Sequence, residues 1–189
     1  MLKNTSAFAI LLVLAISGTA SALTPYFSTG ITSGIQNNGH HASTSYNTLW
    51  TLNAGVQYAL NSNISMRNGI EFSTGDYTFK NDIGNIRYEY DTNTQIYLGN
   101  VTATFRPTGF LSGVYAGITA GITNYKTTLK SPVSAPSESH STFTYGASAG
   151  ISLNIISALY IDLGLRYLTT ADAGTDGNLI TTGGIRLGF

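Results

Sequence analysis

"TFTYGASAGISLNI", residues 142–155, decides the fold. Read in steps of two, it sets Phe143, Tyr145, Ala147, Ala149, Ile151, Leu153 and Ile155 against Thr142, Thr144, Gly146, Ser148, Gly150, Ser152 and Asn154. A period of two is the repeat of a strand, whose successive side chains leave opposite faces. One face here is apolar. The other is small and polar, without the Lys and Glu that a solvated strand face carries. A strand of this kind has a greasy outside and a narrow inside.

The same division recurs outward from this stretch. In "TLWTLNAGVQYAL" (48–60), Trp50, Leu52, Ala54, Val56, Tyr58 and Leu60 oppose Leu49, Thr51, Asn53, Gly55, Gln57 and Ala59. "GVYAGITAGIT" (113–123) sets Val114, Ala116, Ile118, Ala120 and Ile122 against Tyr115, Gly117, Thr119 and Gly121. Later, Leu159, Ile161, Leu163, Leu165 and Tyr167 oppose Tyr160, Asp162, Gly164, Arg166 and Leu168. Four further segments, near 24–36, 64–76, 94–106 and 178–189, alternate less cleanly and bring the expected strands to eight.

The links alternate too. Those at about 37–47, 77–93, 126–141 and 170–177 are long and polar, and those near 61–63, 107–112 and 156–158 are shorter. Short turns on one side and long loops on the other describe a transmembrane barrel with periplasmic turns and extracellular loops. Seven links in this order put both termini on the periplasmic side. The expected fold is all-β, a closed antiparallel eight-stranded transmembrane barrel with four long extracellular loops. A soluble barrel of the lipocalin kind also alternates, but turns its polar face to water; the scarcity of charge on the polar face here argues against it.

Composition agrees. Charged residues make up 10% of the chain, against the ~25% usual in soluble proteins. The first stretch, residues 1–22, reads as a secretory signal peptide: Lys3, an apolar run from Ala7 to Ile16 too short to span a bilayer, then Ala20-Ser21-Ala22 as a cleavage site. A retained anchor is the alternative. The barrel domain is expected over 23–189. Without Lys3 its 8 basic side chains meet 9 acidic ones, so no strong field points to nucleic acid. With no cysteine, neither a disulfide framework nor a thiolate metal site is available.

Aromatic residues should gather at the two membrane interfaces. Trp50, Tyr97, Phe143, Tyr145 and Tyr167 fall towards the extracellular ends, and Phe27, Tyr58, Phe105 and Phe189 towards the periplasmic ends. In this register Leu187 and Phe189 face lipid. The closing "TTGGIRLGF" carries a polar-x-Gly-x-x-apolar-x-aromatic pattern in Thr182, Gly184, Leu187 and Phe189. With that pattern the chain resembles the small eight-stranded outer-membrane proteins of the OmpX, opacity-protein and OmpA transmembrane-domain types. The resemblance covers architecture from Leu23 to Phe189, and no periplasmic domain is expected beyond it. It implies outer-membrane lipid and lipopolysaccharide as surroundings, and the barrel assembly machinery as the reader of the closing signal. It further implies an extracellular or host-surface ligand, no cofactor, and a non-enzymatic role in envelope integrity or surface contact.

Candidate chemistry is sparse. Arg67 and Glu71 share one strand face four residues apart, as do Asp162 and Arg166, and Arg106 and Arg186 are also expected inward. Charge in a narrow interior has to be paired or hydrated, so an ion-pair network follows. Diameter favours a plug; a narrow ion path through the same charges is the alternative. A lipid-modifying enzyme using His140, with Ser141 and Glu138, is a second alternative, although His40, His41 and His140 all fall in expected loops. Adjacent His40 and His41 lack the spacing of a metal site. The segment 77–93 is the most informative loop. It mixes Tyr77, Phe79, Tyr88 and Tyr90 with Lys80, Asp82, Arg87, Glu89 and Asp91 around a turn that would carry a hairpin beyond the bilayer. Aromatics beside charges suit an interaction surface, with packing inside the hairpin as the plainer reading.

Overall fold

A computed structural model describes residues 23–36, 45–83, 86–107, 111–131, 136–171 and 178–188. Eight strands follow one another: β1 (Thr24–Gln36), β2 (Ser45–Ala59), β3 (Ile64–Ile83), β4 (Ile86–Phe105), β5 (Ser112–Ser131), β6 (Glu138–Ile156), β7 (Leu159–Thr170) and β8 (Asn178–Gly188). Each pairs antiparallel with the next, and β8 closes on β1 from Tyr26↔Gly188 to Gly34↔Ile180. Closure satisfies the backbone groups that an open edge would leave bare in hydrocarbon.

The small face of the sequence is the inner face. Gly30 and Gly184 are directly paired at the closing seam, where a methyl group on Gly184 would meet the Thr29 carbonyl oxygen at 2.8 Å. Elsewhere a glycine makes room for an aromatic side chain: a Cβ on Gly164 would lie 2.2 Å from the Tyr115 hydroxyl oxygen. The apolar face is the outer one, with Trp50, Leu52, Ile118, Val114, Ile151, Leu165 and Ile185 all exposed. Burying that belt against lipid rather than protein is what an inside-out barrel requires.

The aromatic residues form two levels on the outer surface. Trp50, Tyr97, Phe143, Tyr145 and Tyr167 are exposed at one, and Phe27 and Phe105 at the other. Tyr58 shares the second level but is buried, at 3% exposure. Phe72 joins the first by packing against Tyr97 with ring centroids 5.1 Å apart. Leu187 faces outward, as expected; Phe189 lies outside the described residues.

We call the end where β1 starts and β8 finishes the terminal end, and the other the hairpin end. The β2–β3 and β6–β7 turns at the terminal end are tight. Asn61 Oδ1 accepts from the backbone N–H groups of Asn63 and Ile64, both at 2.9 Å, and so fixes the β2–β3 turn. At the hairpin end two of the expected loops are mostly strand. Residues 77–83 and 86–93 continue β3 and β4, paired from Tyr77↔Thr92 to Ile83↔Ile86. Of the expected loop 126–141, residues 126–131 belong to β5 and 138–141 to β6. Cross-strand pairs of Thr, Tyr, Phe and opposite charges suit a strand better than a coil.

Candidate functional site

Three layers fill the barrel interior, stacked from the terminal end. The first is cationic and aromatic. The Arg186 guanidinium lies 3.9 Å from the centroid of the Tyr160 ring, and that of Arg106 lies 5.2 Å from it. Arg106, placed in the expected ion-pair network, makes this ring contact and no ion pair among the described residues. Arg186 is 2% exposed and is held by Asp162 Oδ2 at 3.0 Å, Gln57 Oε1 at 2.9 Å and the Ser152 hydroxyl at 3.0 Å.

The second layer is ionic. Arg67 donates to Asp162 Oδ2 at 2.7 Å, and Arg166 grips both oxygens of Glu71 at 2.5 and 2.8 Å. Both pairs join β3 to β7, four strands apart around an eight-stranded ring. They therefore cross the full bore and tie opposite walls together, rather than running along one strand. The side chains expected to share a strand face do so, but their partners stand across the lumen. Tyr26 and Tyr115 fill the remaining width, with the Tyr26 hydroxyl 3.3 Å from Asn53 Oδ1 and Arg67 5.3 Å from the Tyr115 ring centroid.

The third layer is apolar and was not anticipated. Leu49, Ile96, Leu98, Leu168 and Ile180 form one buried cluster on the inner face towards the hairpin end. Leu49 and Leu168 sit on the otherwise small or polar faces of their strands, and Ile96, Leu98 and Ile180 lie in strands whose alternation is blurred. Water and ions are poorly accommodated by such a layer.

Above the bore, β3 to β6 rise as a wall. These strands hold 20, 20, 20 and 19 residues, and β7, β8, β1 and β2 hold 12, 11, 13 and 15. A transmembrane strand needs ~9–11 residues, so the long strands run on for roughly 30 Å at ~3.3 Å per residue. Register sorts the wall into two faces. Tyr77, Phe79, Tyr88 and Tyr90 share the parity that continues the inner face, with Phe79 opposite Tyr90 and Tyr90 opposite Leu129. Tyr88 and Tyr90 are half-buried; the side chains of Tyr77, Phe79 and Arg87 lie outside the described set. The other parity is charged and hydrogen-bonded: Asn93 to Asp76 at 2.7 Å, Thr78 to Asp91 at 2.8 Å, and Lys130 to Asp91 at 3.6 Å.

His140 is on strand β6 opposite Tyr125, and not in a loop. Alternation puts Glu138 and His140 on one face and Ser141 on the other, so a His-Ser-acid constellation does not converge there. His40 and His41 lie outside the described residues. Among the described residues no group of three His, Cys, Asp or Glu side chains is placed to hold a metal ion. Thr182 and Gly184 face inward and Leu187 outward on β8.

A family model of the outer membrane protein beta-barrel domain matches residues 6–189. Among solved structures, the crystal structure of Ail, the attachment invasion locus protein of Yersinia pestis, aligns with a TM-score of 0.59 at 17% identity. The alignment covers 88% of this chain and 98% of that one. The same protein in complex with the heparin analogue sucrose octasulfate gives 0.57 at 16% identity, over 88% and 99%. Neisserial surface protein A gives 0.49 at 13% identity, over 90% and 99%. No curated protein matches the chain. At these identities the structural likeness speaks for the fold alone.

Proposed function

This chain belongs to the outer membrane protein beta-barrel family, and on that premise we propose that it serves as a sealed, non-enzymatic scaffold holding a rigid four-stranded wall above the bilayer for contact with another surface. Membership places it in the outer membrane of a Gram-negative bacterium. In our reading the terminal end is periplasmic, the tight turns lie there, and the wall projects outside among lipopolysaccharide headgroups. The two aromatic levels contact lipid, and Thr182, Gly184 and Leu187 on the closing strand, with Phe189 after them in the sequence, serve the assembly machinery.

The carrying observation is the inequality of strand lengths. A barrel needed only to span the membrane has no use for strands of 20 residues, and extending four neighbours in register makes a stiff platform rather than a set of mobile loops. Ail has been captured with a heparin analogue, which supports an extracellular ligand here without identifying it. The candidate contact residues are Tyr77, Phe79, Arg87, Tyr88 and Tyr90. Replacing residues 77–92 by a two-residue turn is expected to leave a folded barrel that no longer binds surfaces recognised by the intact chain. Retained binding would sink the assignment.

The apolar layer argues against the narrow-channel reading. We expect planar bilayers containing the folded protein to stay silent; discrete conductance steps altered by Arg166→Ala would reinstate a path. An unchanged lipid A mass spectrum on expressing His140→Ala in place of the native chain is expected on the non-enzymatic reading.

A further inference from the structure

Between the apolar layer and the terminal-end guanidinium stack lies a cavity of about 100 Å³, bounded in part by Arg67, Glu71, Asn100, Thr119, Asp162 and Arg166. Its wall is rich in hydrogen-bond donors. Nε of Arg67, Nε of Arg166 and Nδ2 of Asn100 have no protein partner, nor has the Thr119 hydroxyl. Asp162 Oδ1 is the acceptor on this wall left in the same state. Arg67, Asn100 and Thr119 are 7, 8 and 6% exposed, so bulk solvent does not serve these groups.

The carboxylates are already committed. Arg166 takes both oxygens of Glu71, with the Ser73 hydroxyl adding a third bond to it at 3.2 Å, while Asp162 Oδ2 accepts from Arg67 and Arg186 together. In the bonded network Arg67, Arg166 and Arg186 stand against Glu71 and Asp162, one positive charge in excess, with Arg186 just off the cavity wall and Arg106 outside the network. An uncompensated buried charge is costly, and so is a buried N–H without an acceptor. One small anion relieves both. A water occupies ~30 Å³ of liquid, so the cavity has room for one halide-sized ion and about two waters, one of which can donate to Asp162 Oδ1.

We infer that the lumen cavity is a binding site for a small inorganic monovalent anion of chloride or bromide size, held by donors drawn from Asn100, Thr119, Arg67 and Arg166. Its position behind the apolar layer makes it a structural ion of the bore. Larger organic anions do not fit.

Crystals of the purified protein grown with bromide test this directly by anomalous scattering. A bromine peak in the cavity within hydrogen-bond distance of Asn100 Nδ2 or the Thr119 hydroxyl is expected; density for water alone would overturn the site. A second measurement follows the folded-to-unfolded band shift on heating, at one ionic strength, in sodium chloride, bromide or gluconate. Halides should raise the midpoint relative to gluconate, and Asn100→Leu with Thr119→Val should erase that difference. Equal midpoints in the native protein, or a halide effect that survives the double substitution, would refute the inference.

Discussion

The membrane band and the wall above it are built from the same strands, yet they use alternation in opposite ways. In the band the inner face carries the charge and the outer face is apolar: Arg67 and Arg166 reach across the bore while Trp50, Ile118 and Leu165 meet lipid. In the wall the order reverses. In β3 to β5 the parity that continues the inner face carries Tyr88, Tyr90 and Leu129, and the parity that continues the lipid face carries Asp76, Asp91 and Lys130, while β6 puts Glu138 and His140 on the first parity. The exchange occurs along unbroken strands, so the surrounding medium, and not the backbone, sets which face is polar. It also divides the labour: ion pairs in the band hold the barrel shut, and the exposed charges of the wall, such as Asp91 and Lys130, meet water.

If that division is right, breaking a band charge should cost far more than breaking a wall charge. The largest effect is expected from Arg166→Ala, which strands Glu71 in the bore. Removing one partner of a buried pair typically costs ~3–5 kcal/mol. Urea unfolding in lipid vesicles, followed by the single tryptophan, Trp50, would measure it. Exchanging the two groups, Glu71→Arg with Arg166→Glu, should recover most of the loss, because the pair spans the same distance either way. A penalty below ~1 kcal/mol for the single substitution, the range of exposed pairs, would mean that the pair is hydrated and ties nothing together.

A smaller effect is expected where the band depends on space. A Cβ at Gly164 would lie 2.2 Å from the Tyr115 hydroxyl oxygen, with the Ala149 carbonyl oxygen next at 2.6 Å. Gly164→Ala should therefore cost ~1–3 kcal/mol, as overpacking does, and Tyr115→Leu in the same chain should return the part due to that side chain. Insensitivity of both single and double variants would show that the ring moves freely, and that the bore is looser than its packing indicates.

How much of this was legible in the sequence follows from the same contrast. Strands with a uniformly small inner face, such as 142–155 and 113–123, declare themselves by strict alternation. Those that supply the apolar layer do not: Ile96, Tyr97 and Leu98 in succession, or Leu179 beside Ile180, are greasy on both faces because one meets lipid and the other meets the seal. The blurred pattern was itself the signal of that layer. The crossed ion pairs were within reach as well. Closing eight strands sets β3 opposite β7, and both run the same way, so Arg67 and Glu71 on one align with Asp162 and Arg166 on the other in complementary order. What hid them was distance along the chain, 95 residues for each pair. The wall was hidden by composition. Polar residues between strands read as loop, whereas the pairing of Thr78 with Asp91 and of Asn93 with Asp76 makes those same residues a ladder.

The smallest effect is expected at Lys130. Its ammonium stands 3.6 Å from Asp91, with both side chains about half exposed, and an exposed pair of this kind contributes ~0–1 kcal/mol. Lys130→Ala should leave urea unfolding almost unchanged. Yet Lys130 lies on the charged face of the wall, and Asp91, released from it, keeps its bond from Thr78 and stays in place. The substitution therefore changes the charge of the face without changing its shape. If the charged face meets the partner, binding should weaken and its dependence on salt should flatten. If the aromatic face does, Lys130→Ala should bind as the native chain does while Tyr90→Ala does not. Either result identifies the working face of the wall, and a loss of barrel stability on Lys130→Ala would instead erase the division between band and wall.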